Sequence, residues 1–324
     1  METPPPVAPI GASAAPEGPI LPEPLPPAPV PRGVRLAIYI ASTALFITLI
    51  GAMPTELNGA FESPSPFPWL LFLEEALLFG AAFLPAWLLA RLERRPAGDY
   101  GLPPGDLLGA RFWQGCMFGL AEVSLLVGSI ALFAGYRFGT LALRGSAIFE
   151  WLLFWFAFFI VVGLYEEFLF RGYVQFTLAR AIRFWPAAWI LSLSFGALHL
   201  MNRGENWVGV AGVAMAGLVF ALLLERTGNL WCAVGWHAAF DFGETFLYSV
   251  PNSGALLRGH LSNATLEGPA WLTGGSVGPE GSVFSFLIMG LSALVIHLIF
   301  PERKYLAGLP AAPVQRTSSE TSTS

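Results

Sequence analysis

The chain consists largely of long apolar stretches separated by short polar connections. Eight stretches are long enough to cross a hydrocarbon core of roughly 30 Å as helices. They are Gly33–Met53, Pro68–Ala90, Trp113–Gly135, Ile148–Leu169, Trp185–Met201, Trp207–Leu224, Asn229–Val250 and Val283–Phe300. The stretches are continuously apolar rather than alternating, which favours helices over a barrel. The pattern predicts an all-α fold, a polytopic membrane helix bundle with about eight transmembrane helices.

Composition agrees with this interpretation and separates the ends of the chain from its middle. Of 324 residues, 55% are hydrophobic and 12% are charged, whereas soluble domains carry about 25% charged residues. Residues 1–31 are rich in Pro and Ala, which predicts a disordered N-terminal tail. A membrane domain is expected at 32–304 and a flexible C-terminal tail at 305–324. The net charge of −5 gives no reason to expect nucleic acid as a partner.

Basic residues are unevenly distributed between the connections. If the N-terminus is inside, 12 Lys and Arg residues fall in inside segments and 4 fall outside, with Arg171 set aside as intramembrane. Short cytoplasmic connections of membrane proteins are enriched in Lys and Arg. We therefore expect a multi-pass protein with both termini in the cytoplasm.

Ionisable residues within the apolar stretches are the candidate functional residues. Glu166, Glu167 and Arg171 end one stretch, although a charge at the bilayer centre costs at least ~2.5–3.5 kcal/mol. His237 and Asp241 are four residues apart and therefore share one helix face. Such groups are expected to line a polar cavity with a function.

Helix rise places His199 near the same level as Glu166. If Ile148–Arg183 and Trp185–Met201 form a hairpin turning near Phe184, the two residues lie ~27 and ~22 Å from the turn at ~1.5 Å per residue. Two imidazoles and two carboxylates around one cavity are suited to activating water, with Glu166 as the general base. Arg171 is expected to pair with Glu167 and keep that acid ionised.

Three ordered motifs carry a family resemblance: Glu-Glu-x-x-x-Arg at 166–171, Phe-x-x-x-His at 195–199 and His-x-x-x-Asp at 237–241. Together they resemble the CPBP intramembrane proteases, which include the type II CAAX prenyl endopeptidases and the Abi bacteriocin-immunity proteins. The resemblance covers about 151–248. It implies a membrane-embedded endopeptidase. By resemblance, the catalytic residues would be Glu166, His199, His237 and Asp241, supported by Glu167, Arg171 and Phe195.

The resemblance leaves metal dependence open, because the family has been described both as metalloproteases and as metal-independent glutamate proteases. Two His with carboxylates suit Zn²⁺, whereas the guanidinium of Arg171 near a dication disfavours it. The family often has Asn where this chain has Asp241, and a second acid makes a bound cation more favourable. The candidate ligands of such a divalent cation are His199, His237, Asp241 and Glu166. No organic cofactor is expected.

The expected partners are membrane lipid and a membrane-associated peptide or protein substrate, for which a prenylated chain is the family option. Two other functions compete with proteolysis: a proton-coupled transporter, and a non-catalytic membrane immunity or scaffold protein. No internal repeat is evident, which weakens the transporter. The acids Glu74, Glu75 and Glu122 are interpreted as structural pairing or cavity lining. The long loop Pro251–Ser282 carries no evident chemistry.

Overall fold

A computed structural model describes residues 30–52, 69–202 and 204–305 of the chain. The two predicted tails fall almost entirely outside these ranges. The described α-helices are α1 (Arg32–Gly51), α2 (Trp69–Leu92), α3 (Ala110–Leu132), α4 (Ser146–Arg171), α5 (Tyr173–Ile182), α6 (Phe184–His199), α7 (Trp207–Thr227), α8 (Trp231–Phe242), α9 (Ala270–Thr273) and α10 (Val283–Ile299). A two-stranded antiparallel pair, β1 (Tyr136–Arg137) and β2 (Thr265–Leu266), is the only sheet in the described part. The predicted all-α membrane bundle is confirmed.

Each of the eight predicted stretches contains a helix, but fewer helices are long enough to span a membrane alone. Five candidate spans among the described residues meet the requirements of length and apolarity: Arg32–Gly51, Trp69–Leu92, Ala110–Leu132, Ser146–Ile182 and Trp207–Thr227. By contrast α6 has 16 residues, α8 has 12 and α10 has 17. A short π-helical turn, Gly243–Leu247, extends α8. The shorter helices pack against long ones and complete the bundle.

The predicted continuous arm Ile148–Arg183 is interrupted at Gly172, which separates α4 from α5. Gly172 has φ −82° and ψ −127°, outside the helical region. A Cβ atom at this position would lie 2.4 Å from the carbonyl oxygen of Phe168, so the local path requires glycine. The break ends α4 immediately after Arg171, at the end of the first motif.

The connections gather at two opposite ends of the bundle. One set, which we call the basic end, comprises 30–35, 91–111, 172–184, 225–231 and 300–305. Its segments bond to one another: Arg32 Nη1 donates to the carbonyl of Arg180 over 3.1 Å, and the Leu230 N–H donates to the carbonyl of Gly101 over 2.7 Å. Every second connection along the chain therefore lies at the same end of the bundle. This is the arrangement expected when successive helices cross the membrane in opposite directions.

The other set, which we call the loop end, comprises 133–147, 200–202, 204–207 and 248–282. Here β1 pairs with β2, and the Ser276 hydroxyl donates to the carbonyl of Gly204 over 2.7 Å. Trp155 on α4 donates its indole N–H to the carbonyl of Arg258 over 3.1 Å. These bonds fold the long loop Pro251–Ser282 back over the bundle.

Helices α3 and α8 approach each other through glycines. A Cβ at Gly115 would lie 2.0 Å from the carbonyl oxygen of Cys232, and one at Gly119 would lie 2.2 Å from that of Trp236. On the facing helix, a Cβ at Gly235 would lie 2.1 Å from the carbonyl oxygen of Phe112. Small residues permit this approach of two backbones, which is a common basis of helix association in membranes. The contact fixes the position of α8.

Replacing Gly119 by Ala should separate α3 from α8 and destabilise the protein. We expect a loss of at least about 1–3 kcal/mol, the usual cost of overpacking, because backbone must move. Thermal unfolding of the detergent-solubilised protein measures this change. Gly128→Ala is the matched control on the same helix, since nothing lies within 4 Å of its added Cβ. Equal unfolding temperatures for the two variants would contradict the proposed packing.

Candidate active site

His237 on α8 lies at the centre of a buried polar cluster. Its Nδ1 is 3.0 Å from Oε1 of Glu167, and its Nε2 is 3.4 Å from Oε2 of Glu166 and 3.5 Å from Oδ2 of Asp241. Both ring nitrogens therefore face carboxylates. The four-residue spacing on α8 brings Asp241 to the ring, and α4 supplies both glutamates.

Glu167 joins His237 to Arg171. The Arg171 guanidinium donates from Nη1 to Oε1 of Glu167 over 3.2 Å, and the two side chains are 1% and 0% exposed. The predicted Glu167–Arg171 pair is present in the structure. The spacing of the motif did not reveal that the same oxygen also contacts His237, because this contact crosses from α4 to α8.

Aromatic rings and a glycine surround these polar groups. The guanidinium carbon of Arg171 lies 4.5 Å from the ring centre of Phe195, a cation–π contact. Phe220 on α7 stacks on His237 with ring centres 5.6 Å apart and planes at 16°. A Cβ at Gly217 would lie 2.5 Å from Nη2 of Arg171, so glycine makes room for the guanidinium. Phe195 belongs to one of the three sequence motifs, whereas Phe220 and Gly217 belong to none and were not predicted.

His199 lies at the end of α6 and faces the same space as Glu166. Its Nδ1 is 2.9 Å from the carbonyl oxygen of Phe195. A carbonyl oxygen only accepts, so Nδ1 carries the proton of this bond and Nε2 remains available to the cavity. The predicted level of Glu166 and His199 agrees with this arrangement, since both line the same cavity.

The cavity has a volume of about 810 Å³ and is bordered by acids. Its acidic residues are Glu75, Glu122, Glu166, Asp241 and Glu280, and no Lys or Arg of the described ranges lines it. A smaller adjoining space of about 140 Å³ between α4 and α6 shares Glu166, Phe195, His199 and Asn202. Glu166 and His199 therefore border both spaces.

Three of the lining acids come from outside the recognised motifs. Glu75 on α2 and Glu122 on α3 fit the interpretation as cavity lining, and Glu122 also accepts a 2.5 Å hydrogen bond from the indole of Trp236. Glu280 and the segment 252–257 belong to Pro251–Ser282, a loop in which the sequence pattern predicted no chemistry. The loop nevertheless folds back far enough to line the cavity.

The predicted metal ligands do not form a converging set in the described ranges. No group of three or more His, Cys, Asp or Glu side chains there has an arrangement that could hold a metal ion. His237 already places both nitrogens against carboxylates, and His199 bonds to its own helix. This geometry does not fit a divalent cation without rearrangement of the side chains.

Comparison with models of protein families indicates the class of protein to which this region is similar. The model of the Rce1-like type II CAAX prenyl endopeptidases matches residues 148–243, a stretch that includes all three motifs. The region is a Rce1-like domain. Neither the curated proteins nor the solved structures gave a match. The Rce1-like region runs from the start of α4 to the end of α8, and its family supports a CAAX-type intramembrane protease that acts on a membrane-associated substrate.

The residues that line the cavity come both from within the Rce1-like domain and from outside it. Glu166, Glu167, His199, His237 and Asp241 lie inside the match. The acids Glu75, Glu122 and Glu280 lie outside it, on elements that the domain model does not describe. The matched region thus contains the three motifs, while the surrounding helices and the loop complete the cavity walls around them.

Replacing Glu167 by Gln should destabilise the protein strongly. The substitution keeps the shape but leaves the buried guanidinium of Arg171 without its counter-charge, which typically costs about 3–5 kcal/mol. Thermal unfolding in detergent measures this loss. Glu267→Gln is the matched control, because it removes the acid of an exposed pair with Arg137 and should cost no more than about 1 kcal/mol.

The double variant Glu167→Gln/Arg171→Met distinguishes the effect of an unpaired charge on stability from the effect of altered packing. With both charges removed, part of the lost stability should return, since no unpaired charge remains in the core. A double variant less stable than Glu167→Gln alone would contradict the pairing argument.

Proposed function

We propose that this protein is an intramembrane endopeptidase in which Glu166 activates water to cleave a peptide bond. The observation that carries the proposal is the convergence of Glu166 and Asp241 on Nε2 of His237, beside a cavity that His199 also lines. A carboxylate within ion-pairing distance of an imidazole, next to a space for substrate, is suited to general acid–base catalysis.

The position of His237 between acids determines its role in the proposal. Nδ1 donates to Glu167, and Nε2 faces the carboxylates of Glu166 and Asp241, which are the acceptors within reach of a proton on Nε2. Glu167 fixes the orientation of the ring and is itself fixed by Arg171. Glu167, Arg171 and Phe195 act as positioning residues in this scheme, because they contact the ring or one another.

In the proposed reaction, Glu166 takes a proton from water as the water oxygen bonds to the substrate carbonyl carbon. The carbonyl oxygen becomes an oxyanion, and a protonated His199 stabilises it by donating from Nε2. The tetrahedral intermediate then collapses as the C–N bond breaks. The departing amine takes the proton from Glu166, so protons and charge balance and Glu166 returns to its starting state.

Replacing Glu166 by Gln should abolish cleavage while leaving the protein folded. An amide cannot take the proton from water, and loss of a general base typically lowers the rate about 10²–10⁴-fold. Quantitative proteomics of membranes carrying the wild type or the variant measures this loss as peptides that only the wild type produces. Glu150→Gln is the matched control on the same helix, at a position exposed outside the cavity.

The same experiment distinguishes the competing functions. A folded Glu166→Gln protein that still generates the same peptides would exclude Glu166 as the base. A Glu166→Gln protein that cleaves nothing yet retains its full biological effect would support the non-catalytic scaffold. Uptake or efflux that depends on Glu166, without any cleaved peptide, would support the transporter.

Removal of divalent metal should leave cleavage unchanged, because the proposed steps use only side chains. The measurement is cleavage of an identified substrate by purified protein before and after treatment with a chelator, together with metal content. A divalent cation such as Zn²⁺ remains the alternative proposal. It would be supported by stoichiometric metal in the wild type that is absent from His199→Ala, and by activity that returns when the ion is added back.

A further inference from the structure

Glu93, the residue after α2, joins three parts of the chain at the basic end. Its Oε1 accepts a hydrogen bond from the Tyr173 hydroxyl on α5, and its Oε2 accepts one from the Tyr100 hydroxyl, each over 2.8 Å. The guanidinium of Arg35 on α1 lies 3.5 Å from Oε1, and that of Arg180 on α5 lies 4.0 Å from Oε2. One buried carboxyl group therefore holds α1 and α5 beside the end of α2.

The two arginines keep hydrogen-bond donors that Glu93 does not satisfy. Their distances to Glu93 exceed the roughly 2.7–3.2 Å of an N–H···O hydrogen bond, because the tyrosine hydroxyls already bond to its oxygens. Arg35 is 7% exposed, and its Nε has no hydrogen-bond partner in the described part of the chain. A buried donor without an acceptor costs free energy. An acceptor from outside the chain would relieve this cost.

Positive charge exceeds negative charge around Glu93. Arg95 lies within electrostatic range of Arg180, and Arg32 donates from Nη1 to the carbonyl of Arg180. Among the described residues, Glu93 is the only acid that forms an ion pair with any of Arg32, Arg35, Arg95 and Arg180. Guanidinium groups match phosphate through paired N–H donors. The cluster therefore has the chemistry of a phosphate-binding site.

The surroundings of the cluster favour a lipid over a free ion. Only Arg35, Tyr39 and Thr43 are buried among the residues of α1, so most of this helix is exposed. Large apolar side chains next to the cluster in sequence are also exposed. They are Val34 and Ile38 on α1 and Leu92 at the end of α2. A phosphate bound at the cluster would thus carry its acyl chains beside apolar helix faces, and basic pockets between transmembrane helices bind such head groups.

We propose that Arg35, Arg95 and Arg180 bind the phosphate of an anionic phospholipid where α1, α2 and α5 meet. The head group supplies the acceptor that Glu93 does not, and its charge offsets part of the positive excess. A zwitterionic phospholipid carries the same phosphate but adds a positive group, so it binds more weakly. Helices α1 and α2 precede the Rce1-like domain and α5 belongs to it. The lipid would therefore hold flanking helices to this domain, whatever reaction the domain catalyses.

Lipid binding to the purified full-length protein tests the proposal. The detergent-solubilised protein is titrated with phosphatidylglycerol or with phosphatidylcholine of the same acyl chains, and native mass spectrometry gives a dissociation constant for each lipid. We expect phosphatidylglycerol to bind at least about tenfold more tightly, the difference expected for one hydrogen bond to a charged group. Equal dissociation constants, or retention of neither lipid, would overturn the proposal.

Two substitutions locate the site. Arg180→Gln removes one guanidinium and leaves Arg35 to pair with Glu93. Arg95→Gln keeps every described bond to Glu93 in place, so loss of lipid from this variant is not a consequence of a disrupted junction. Each substitution should raise the dissociation constant of phosphatidylglycerol at least about tenfold and that of phosphatidylcholine by less. An unchanged affinity in both variants would exclude the site.

Arg111→Gln is the matched control. It removes an equal charge from the same end of the bundle, on α3, where the Arg111 guanidinium bonds to Gln114 over 3.0 Å. An equal loss of lipid from this variant would show attraction to general positive charge and overturn the site.

Inorganic phosphate distinguishes a lipid from a free anion. It should leave bound phosphatidylglycerol in place, because it lacks the acyl chains that contact the apolar faces of α1 and α2. Displacement of phosphatidylglycerol by an equal concentration of inorganic phosphate would identify a site for the free anion and overturn the lipid as its ligand.

Discussion

The site depends on one buried carboxylate, that of Glu167. A single oxygen of this group lies 3.2 Å from the Arg171 guanidinium and 3.0 Å from Nδ1 of His237. Arg171 supplies the counter-charge beside this buried carboxyl group, and the carboxyl oxygen accepts the hydrogen bond that orients the imidazole. The contacts from Arg171 to Glu167 and from Glu167 to His237 thus fix the imidazole of α8 relative to α4, and Nε2 of His237 faces Glu166 and Asp241.

This arrangement requires α8 to lie at a fixed distance from its neighbours. The glycines of the α3–α8 contact allow the two backbones to approach so closely that a Cβ atom at these positions would overlap the facing helix. Interior packing of this kind resists small displacements, because each shift opens voids or forces overlaps. The polar cluster therefore relies on an apolar contact on the opposite face of α8. Buried ion pairs contribute little stability by themselves, so the packing holds the charges in place rather than the reverse.

Local spacing made much of the site predictable from the sequence. The pairs Glu167–Arg171 and His237–Asp241 are each four residues apart on a helix, and helical geometry alone brings such side chains together. Continuous apolar stretches likewise predicted the bundle. Contacts between distant segments carry no such periodic signal. The bond from Glu167 to His237 and the stacking of Phe220 depend on tertiary packing. The apolar pattern also did not predict the break at Gly172 or the short lengths of α6 and α8.

The loop Pro251–Ser282 shows why the cavity wall was the least predictable feature. Its sequence is rich in Gly and polar residues, which ordinarily describes an exposed connection. The strand pairing of β1 with β2 and the bond from Trp155 to Arg258 fold it back over the bundle and bring Glu280 to the cavity. The matched domain supplies the cluster around His237, whereas this loop and α2 and α3 supply further acids of the wall. In the proposed endopeptidase, the groups around His237 and the further acids of the cavity wall therefore come from different parts of one chain.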